Sequence, residues 1–164
     1  MTDKEQTTIK TFGNRLRVRV SGICIIEQKI LLLHHEMPGP QKIFWAPPGG
    51  GMEYGSNASE NLEREFLEET GLNVLVSDFL FVHEFLSPPL HAVELFFKVI
   101  PKNGNIIKGQ DPEMKFNEQI IREVKLMSID ELKEIPDSQK HQSLQKINSF
   151  EDLLQMRGFY HTQD

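Results

Sequence analysis

The segment from Asn57 to Gly71, NASENLEREFLEETG, constrains the fold most strongly, because it specifies both ends of one helix. Asn57 is a preferred N-cap residue, and Glu60, three positions later, completes a capping box. Gly71 supplies the left-handed residue that commonly terminates a helix. We therefore predict a helix over residues 57–70.

Strand-like segments lie on both sides of this helix. In RLRVRVSGICII, Leu16, Val18 and Val20 alternate with arginines, which is the period of a half-buried strand. This segment and ILLLHH are predicted to form a hairpin, because only the short polar turn EQK separates them. Further strands are predicted in FW, LNVLVSDFLFVHEFL, HAVELFFKVI and QIIREVKLM, and helices in SIDELKEI and from Gln139 to Met156. This order predicts an α/β fold of mixed α+β type, with a mixed sheet packed between helices.

The chain length of 164 residues suits one domain with a proper core and is short for two. We expect a single domain over residues 11–160, preceded by a flexible tail over residues 1–10. No apolar run approaches the roughly 20 residues that cross a bilayer, and the polar N-terminus lacks the apolar region of a secretory signal. The sequence therefore predicts a cytoplasmic protein without a membrane partner.

Charge and cysteine content narrow the function further. A formal net charge of −6 argues against binding to nucleic-acid polymers. The single cysteine, Cys24, lies in an apolar run and is predicted to be a buried thiol, so no disulfide forms within the chain. The oligomeric state stays open, and a homodimer is among the states that the sequence allows.

Three acids share one face of the predicted helix. Spacings of three and four residues bring Glu65, Glu68 and Glu69 together, while Leu62 and Phe66 form the adjoining apolar stripe. Carboxylates held this close repel one another unless a cation lies between them, and oxygen ligands suit Mg²⁺ or Mn²⁺. Taken by itself, the segment EREFLEE is more typical of a solvated helix with an intrahelical ion pair.

The glycine-rich loop upstream decides between these interpretations. PPGGG, followed by the helix acids and a terminal glycine, resembles the signature of the Nudix hydrolase family, G-x5-E-x7-R-E-U-x-E-E-x-G-U, where U is bulky and apolar. In this chain the pattern runs Gly50, Ser56, Arg64, Glu65, Phe66, Glu68, Glu69, Gly71, Leu72. Every fixed position matches except Ser56, which stands where the pattern has a glutamate.

The resemblance implies a fold, a reaction and residue roles. The fold is an α/β/α sandwich around a mixed sheet, and the reaction is hydrolysis of a nucleoside diphosphate linked to another group X. Glu65, Glu68 and Glu69 are implied as metal ligands and catalytic acids, with Arg64 orienting them and the backbone carbonyl of Gly50 completing a metal shell.

Ser56 raises the question of whether such a site is active. Serine lacks the charge of glutamate, but its hydroxyl can hold a water molecule or help to cap the helix. Because the three helix acids and Arg64 are all retained, we expect an active enzyme with weaker metal affinity, or a higher Mg²⁺ requirement, than a Ser56→Glu variant.

Residues outside the signature are candidates for further roles. Arg15, Arg17 and Arg19 share a strand face that can meet phosphate, although a solvated face explains them equally. Trp45 can stack on a base, but its position also fits the core. The family often draws one more acid from a loop, and we favour Glu118 over Glu113 and Glu123. The histidines show no metal-ligand spacing and are expected to be structural.

Two functions follow from these features. The first is a Mg²⁺-dependent pyrophosphohydrolase acting on a small nucleotide, such as ADP-ribose, another nucleotide sugar or a (d)NTP. The short segment before the first strand weakens the case for ADP-ribose, since larger relatives with that substrate carry a longer N-terminal extension. The alternative is an inactive nucleotide-binding or sensor module that kept the fold.

Overall fold

The computed structural model describes residues 3–36, 43–109 and 121–162. Its helices are α1 (Asp3–Phe12), α2 (Ala58–Thr70), α3 (Ile129–Glu134) and α4 (Phe150–Gln155), with short 3-10 turns at Asp137–Gln139 and Gln142–Leu144. Its strands are β1 (Arg15–Ile26), β2 (Lys29–Glu36), β3 (Ile43–Ala46), β4 (Gly49–Gly51), β5 (Leu72–Ser87), β6 (Leu90–Gly104), β7 (Ile121–Met127) and β8 (Gly158–His161). None of the helices in these ranges is long and apolar enough to cross a membrane.

The strands form a mixed sheet, as the sequence predicts. Its order is β3-β2-β1-β6-β5-β8, while β4 pairs with β1 and β7 pairs with β2. The pairs β1–β6 and β5–β8 are parallel, and the other pairs are antiparallel. Strand β1 is therefore central, because it contacts the hairpin partner β2, the glycine strand β4 and the long strand β6.

The predicted hairpin between β1 and β2 is confirmed, with Ile26 paired to Lys29. The two residues of its turn, Glu27 and Gln28, have φ values of 47° and 61°. Positive φ at both central positions is the requirement of a type I′ turn, whose twist matches that of the flanking strands.

Helix α2 begins and ends where the sequence predicts. The side chain of Asn57 accepts from the backbone N–H of Glu60, the reciprocal capping-box bond is present, and Gly71 adopts the left-handed conformation at φ 76°. Leu62 and Phe66 are fully buried against the sheet. The helix approaches β1 closely, because a Cβ on Gly22 would lie 2.8 Å from Cζ of Phe66.

Apolar clusters cover both faces of the sheet. One cluster joins α2 to β1, β2, β5 and β6, and it includes Val20, Leu62 and Phe66. The other joins the sheet to α3, α4 and the segment between them, and it includes Phe81, Phe96 and Leu144. The sheet is thus packed between helices on its two faces, which is the layered arrangement expected from the sequence.

Three details of the sequence prediction differ from the structure. Residues 3–10, expected in a flexible tail, belong to α1, where Asp3 and Glu5 in the first turn and Lys10 in the last favour a helix electrostatically. The long helix from Gln139 to Met156 is wrong: the chain leaves helical geometry because Lys140 bridges to Trp45 and the His141 N–H donates to the Trp45 carbonyl.

The third difference concerns the apolar residues of β1. Val20 is fully buried, but Leu16 is 60% exposed and Val18 is 42% exposed. Leu16, Val18 and Val20 do lie on one face of β1, but helix α2 covers only the part of that face near Val20.

Candidate active site

The glycine strand β4 and helix α2 meet side by side. The backbone N–H of Gly49 donates to Oε2 of Glu69 at 2.9 Å, and Glu69 is only 6% exposed. At the next residue, a Cβ on Gly50 would lie 2.7 Å from Oε2 of Glu65, so only glycine fits without moving that carboxylate. The glycines of β4 therefore allow a close approach to one specific partner, the acidic face of α2.

Arg64 holds two of the three helix acids. Its Nη2 lies 3.0 Å from Oε1 of Glu65, and its Nη1 lies 3.0 Å from Oε2 of Glu68. Partial burial alone would lower the pKa of Arg64, but the neighbouring carboxylates outweigh it and raise the pKa. Arg64 is therefore a permanent cation in contact with both of these acids.

The donor set on this surface suits a hard divalent cation. Glu65, Glu68 and Glu69 offer carboxylate oxygens, and β4 offers backbone carbonyls. Their ligand atoms do not form a tight group of three, because Arg64 draws Glu65 and Glu68 to itself while Gly49 binds Glu69. Arg64 and Gly49 thus hold the mutually repelling carboxylates apart.

Among the described residues, the only three potential metal ligands whose atoms all lie within 4.8 Å of one another are His83, Glu94 and His141. The sequence did not predict this group, because the register of β5 on β6 sets His83 beside Glu94 and the C-terminal segment then adds His141. A signal was present, since Glu94 is a charged residue inside the apolar strand HAVELFFKVI.

Hydrogen bonds assign a structural role to this group. Nδ1 of His141 accepts from the backbone N–H of Ser143 at 3.1 Å, which leaves the proton of the neutral ring on Nε2. That Nε2 faces Glu94 at 3.7 Å, and a protonated nitrogen donates to a carboxylate but does not bind a cation. Nε2 of His83 lies 2.7 Å from Oε1 of Gln142, which ties the C-terminal segment to the sheet.

Glu94 is ionised although it is partly buried. Burial alone would raise its pKa, but His141, Arg19 and the hydroxyl of Ser21 together hold the pKa well below its usual range. Ser21 donates to Glu94, and Ser21 also pairs in register with Gly49. The Glu94 carboxylate therefore binds β1 at Ser21, the residue that pairs with Gly49 of the glycine strand.

The turn before α2 places Ser56 and Glu53 differently. Ser56 is exposed, whereas Oε1 of Glu53 lies 3.5 Å from Nη2 of Arg64. Asn61, which is fully buried, accepts from the N–H of Glu53 at 2.8 Å and donates to the carbonyl of Ser56 at 3.1 Å. The sequence pattern did not point to Glu53 or Asn61, although a polar residue beside Leu62 on the core face is unusual.

The three arginines of β1 each contact a different residue. Arg15 donates to the carbonyl of Thr11, Arg17 lies over the ring of Phe12 at 4.0 Å, and Arg19 lies 4.0 Å from Glu94. The side chain of Arg17 borders the glycine strand, since a Cβ on Gly51 would lie 3.9 Å from its Nη2, and Arg19 pairs with Gly51 in register.

The other predicted residues have clear positions or lie outside the described residues. Trp45 is 9% exposed and stacks on His34 with ring centroids 4.7 Å apart, which supports the core interpretation. Glu123 lies on β7 beside His34, at 3.9 Å. Glu118 and Glu113 lie outside the described residues, so the additional loop acid stays a prediction.

Comparison with known proteins gives a family match over most of the chain. The model of the NUDIX domain matches residues 15–146. A protein named ADP-ribose pyrophosphatase from Methanocaldococcus jannaschii is 34% identical over 96 residues, which are 57% of this chain and 56% of that protein. The chain therefore spans about half the length of this curated relative.

Solved structures share the fold at low identity. A NUDIX hydrolase from Nitrosomonas europaea is 21% identical, covers 89% of this chain and 79% of its own, and superimposes with a TM-score of 0.60. An ADP-ribose pyrophosphatase from Streptococcus suis is 15% identical, with 87% and 98% covered and a TM-score of 0.60. A UDP-X diphosphatase is 22% identical, with 99% and 76% covered and a TM-score of 0.60.

Proposed function

This chain belongs to the NUDIX domain family, and from that premise we propose that it is a metal-dependent pyrophosphohydrolase that cleaves the diphosphate of a small nucleotide. The observation that carries the proposal is the junction of β4 with α2. There, Arg64 holds Glu65 and Glu68 at 3.0 Å each, and Gly49 holds Glu69 at 2.9 Å.

The residues at this junction fit a cation with oxygen ligands. Glu65, Glu68 and Glu69 would hold Mg²⁺ or Mn²⁺, with the backbone carbonyl of Gly50 as a further ligand. Such a cation, when bound, neutralises a diphosphate and makes water a stronger nucleophile. Arg64 positions two of the acids, and Gly50 keeps the surface free of a side chain where the substrate and the carboxylates must approach.

The reaction is the attack of water on one phosphorus of the anhydride. One P–O bond forms, the bridging P–O bond breaks, and two phosphate-bearing products leave. A carboxylate of the α2 surface or the loop acid Glu118 accepts the proton of the water. The protein itself needs no covalent intermediate, because its contribution is orientation and charge.

The substrate class within this proposal is a nucleotide linked through a diphosphate. Relatives named ADP-ribose pyrophosphatase and UDP-X diphosphatase support a nucleotide sugar, and a (d)NTP remains the second candidate. Arg17, beside the glycine strand, is the β1 arginine best placed to meet a phosphate.

A second function is favoured by one observation, the exposed Ser56 in place of the signature glutamate. It is a nucleotide-binding or sensor module that has lost turnover. A catalyst and a sensor differ in a simple way, since both bind nucleotide but only the catalyst releases two products.

The experiment is a phosphate-release screen of nucleotide sugars and (d)NTPs with Mg²⁺ and with Mn²⁺, using a phosphatase to reveal the monophosphate products. The wild type is expected to turn over at least one of them. Glu69→Gln is expected to lose that activity, whereas Glu63→Gln, on the same helix but absent from the contacts of Arg64, keeps it. Tight nucleotide binding without turnover in the wild type would favour the sensor.

A further inference from the structure

We propose that Glu53 positions Arg64 in this chain, and that this contact makes up for Ser56 in place of the signature glutamate. The inference rests on the proposed function, because it concerns how Arg64 holds two of the metal-binding acids. It identifies Glu53 as a positioning residue that acts through Arg64, and it explains how the site retains three acids around one guanidinium without a glutamate at position 56.

The first support is the turn that precedes α2. The N–H of Ser56 donates to the carbonyl of Glu53 at 3.4 Å, and Gly55 has φ 94°. This is a four-residue turn whose third position requires positive φ, which only glycine adopts without strain. The turn folds Glu53 back toward α2 and leaves Ser56 at its exposed end.

The second support is the buried amide of Asn61. Its Oδ1 accepts from the N–H of Glu53 at 2.8 Å, and its Nδ2 donates to the carbonyls of Ser56 at 3.1 Å and Asn57 at 2.8 Å. One fully buried side chain thus satisfies two backbone groups of the turn and one of the N-cap residue Asn57. An amide buried with all of these bonds made fixes the turn against the helix, because any displacement would leave polar groups unpaired.

The third support is the contact of Glu53 with Arg64. Oε1 of Glu53 lies 3.5 Å from the same Nη2 that binds Glu65. The side chain of Glu53 is 52% exposed, so the ion pair adds little to the stability of the fold. Its effect is on orientation: a second carboxylate at Nη2 restricts rotation of the guanidinium, whose plane sets the positions of Glu65 and Glu68.

Ser56 cannot form this ion pair with Arg64. Its side chain is neutral and its backbone is committed to the turn and to Asn61. We expect a glutamate introduced at position 56 to take over the role of Glu53 when Glu53 is neutralised. We therefore expect Ser56→Glu to tighten metal binding only in variants that lack the Glu53 carboxylate.

The experiment measures Mn²⁺ binding to the metal-free protein by electron paramagnetic resonance, together with kcat and KM for a substrate found in the screen. Glu53→Gln is expected to weaken Mn²⁺ binding about 10-fold and to lower kcat, with a smaller change in KM. Adding Ser56→Glu to that variant is expected to restore Mn²⁺ affinity to within about 2-fold to 3-fold of wild type. Ser56→Glu alone and the control Glu63→Gln change Mn²⁺ affinity less than about 3-fold.

Two results would overturn the inference. One is a Glu53→Gln variant with wild-type Mn²⁺ affinity, and the other is a double variant that Ser56→Glu does not rescue. Circular dichroism and the melting temperature, unchanged in Glu53→Gln, separate loss of positioning from loss of fold. A wild type that binds Mn²⁺ but hydrolyses nothing would contradict the proposed function, while the Mn²⁺ comparison would still decide the role of Glu53.

Discussion

Gly50 and Glu65 are in contact across the junction of β4 and α2, where a Cβ on the glycine would meet Oε2 of the glutamate at 2.7 Å. Gly50→Ala is therefore expected to displace the Glu65 carboxylate and to lower kcat by about 100-fold, because small misplacements of a catalytic group carry large costs. Gly51→Ala is the matched control, since its nearest neighbour would lie at 3.9 Å. Steady-state kinetics of the two variants test this, and equal activities would contradict it.

The cap of α2 gives a prediction about stability. Asn57→Ala removes the side-chain oxygen that accepts from Glu60 and is expected to cost about 1 kcal/mol of unfolding free energy. For a chain of this size the melting temperature should fall by about 2–4 °C. Ser59→Ala, an exposed position in the first turn, should leave it unchanged. Thermal unfolding followed by circular dichroism measures both.

The attachment of α2 to the sheet depends on Phe66. This side chain is fully buried, and Gly22 of β1 accommodates its ring. Phe66→Ala is expected to lower the free energy of unfolding by about 3–5 kcal/mol through lost burial and a cavity. Phe159→Ala, at a residue that is 53% exposed, should cost far less. Urea unfolding measures the difference, and similar midpoints would show that α2 is not anchored as described.

His35 on β2 is expected to make the stability of the fold depend on pH. Burial, followed by the nearby Arg19, lowers the pKa of His35 from 6.5 to about 4. The unfolded chain therefore binds more protons than the folded one between these two values, and stability falls as the pH drops from about 6.5 toward 4. The loss due to His35 is at most about 3 kcal/mol.

Urea unfolding of His35→Gln at pH 7 and at pH 5 checks this expectation. The variant should lose less stability than wild type between pH 7 and pH 5, because its unfolded chain no longer binds a proton at position 35. Ser59→Ala, at an exposed position of α2, changes no titratable group, so it serves as the control and should follow the wild-type pH dependence. A wild-type pH dependence in His35→Gln would contradict the assignment.

Local signals explain the parts of the structure that the sequence predicts well. Asn57, Glu60 and Gly71 fix the ends of α2 through bonds within a few residues of one another. The β1–β2 hairpin likewise depends on a two-residue turn. Patterns of this kind are visible in the chain because their partners are close in sequence.

Long-range pairing explains what the sequence does not predict. The helical periodicity from Gln139 to Met156 is interrupted because Lys140 and His141 bind Trp45, almost a hundred residues earlier. The contact of Glu53 with Arg64 depends on the turn at Gly55 and on the buried Asn61, and neither belongs to the recognised signature. The acids of α2 were predictable as a set, but the partners that hold each of them were not.

The parallel pairing of β1 with β6 has a kinetic consequence. Arg15 pairs with Leu90 and Cys24 pairs with Val99, each about 75 residues later along the chain. Such a pairing must first close a large loop, and the entropy lost in doing so is offset only after the strand contacts form. This slows folding relative to proteins with local contacts. A ribosome-bound chain can therefore complete the β1–β2 hairpin early, whereas β1 cannot reach its final pairing until β6 has been synthesised.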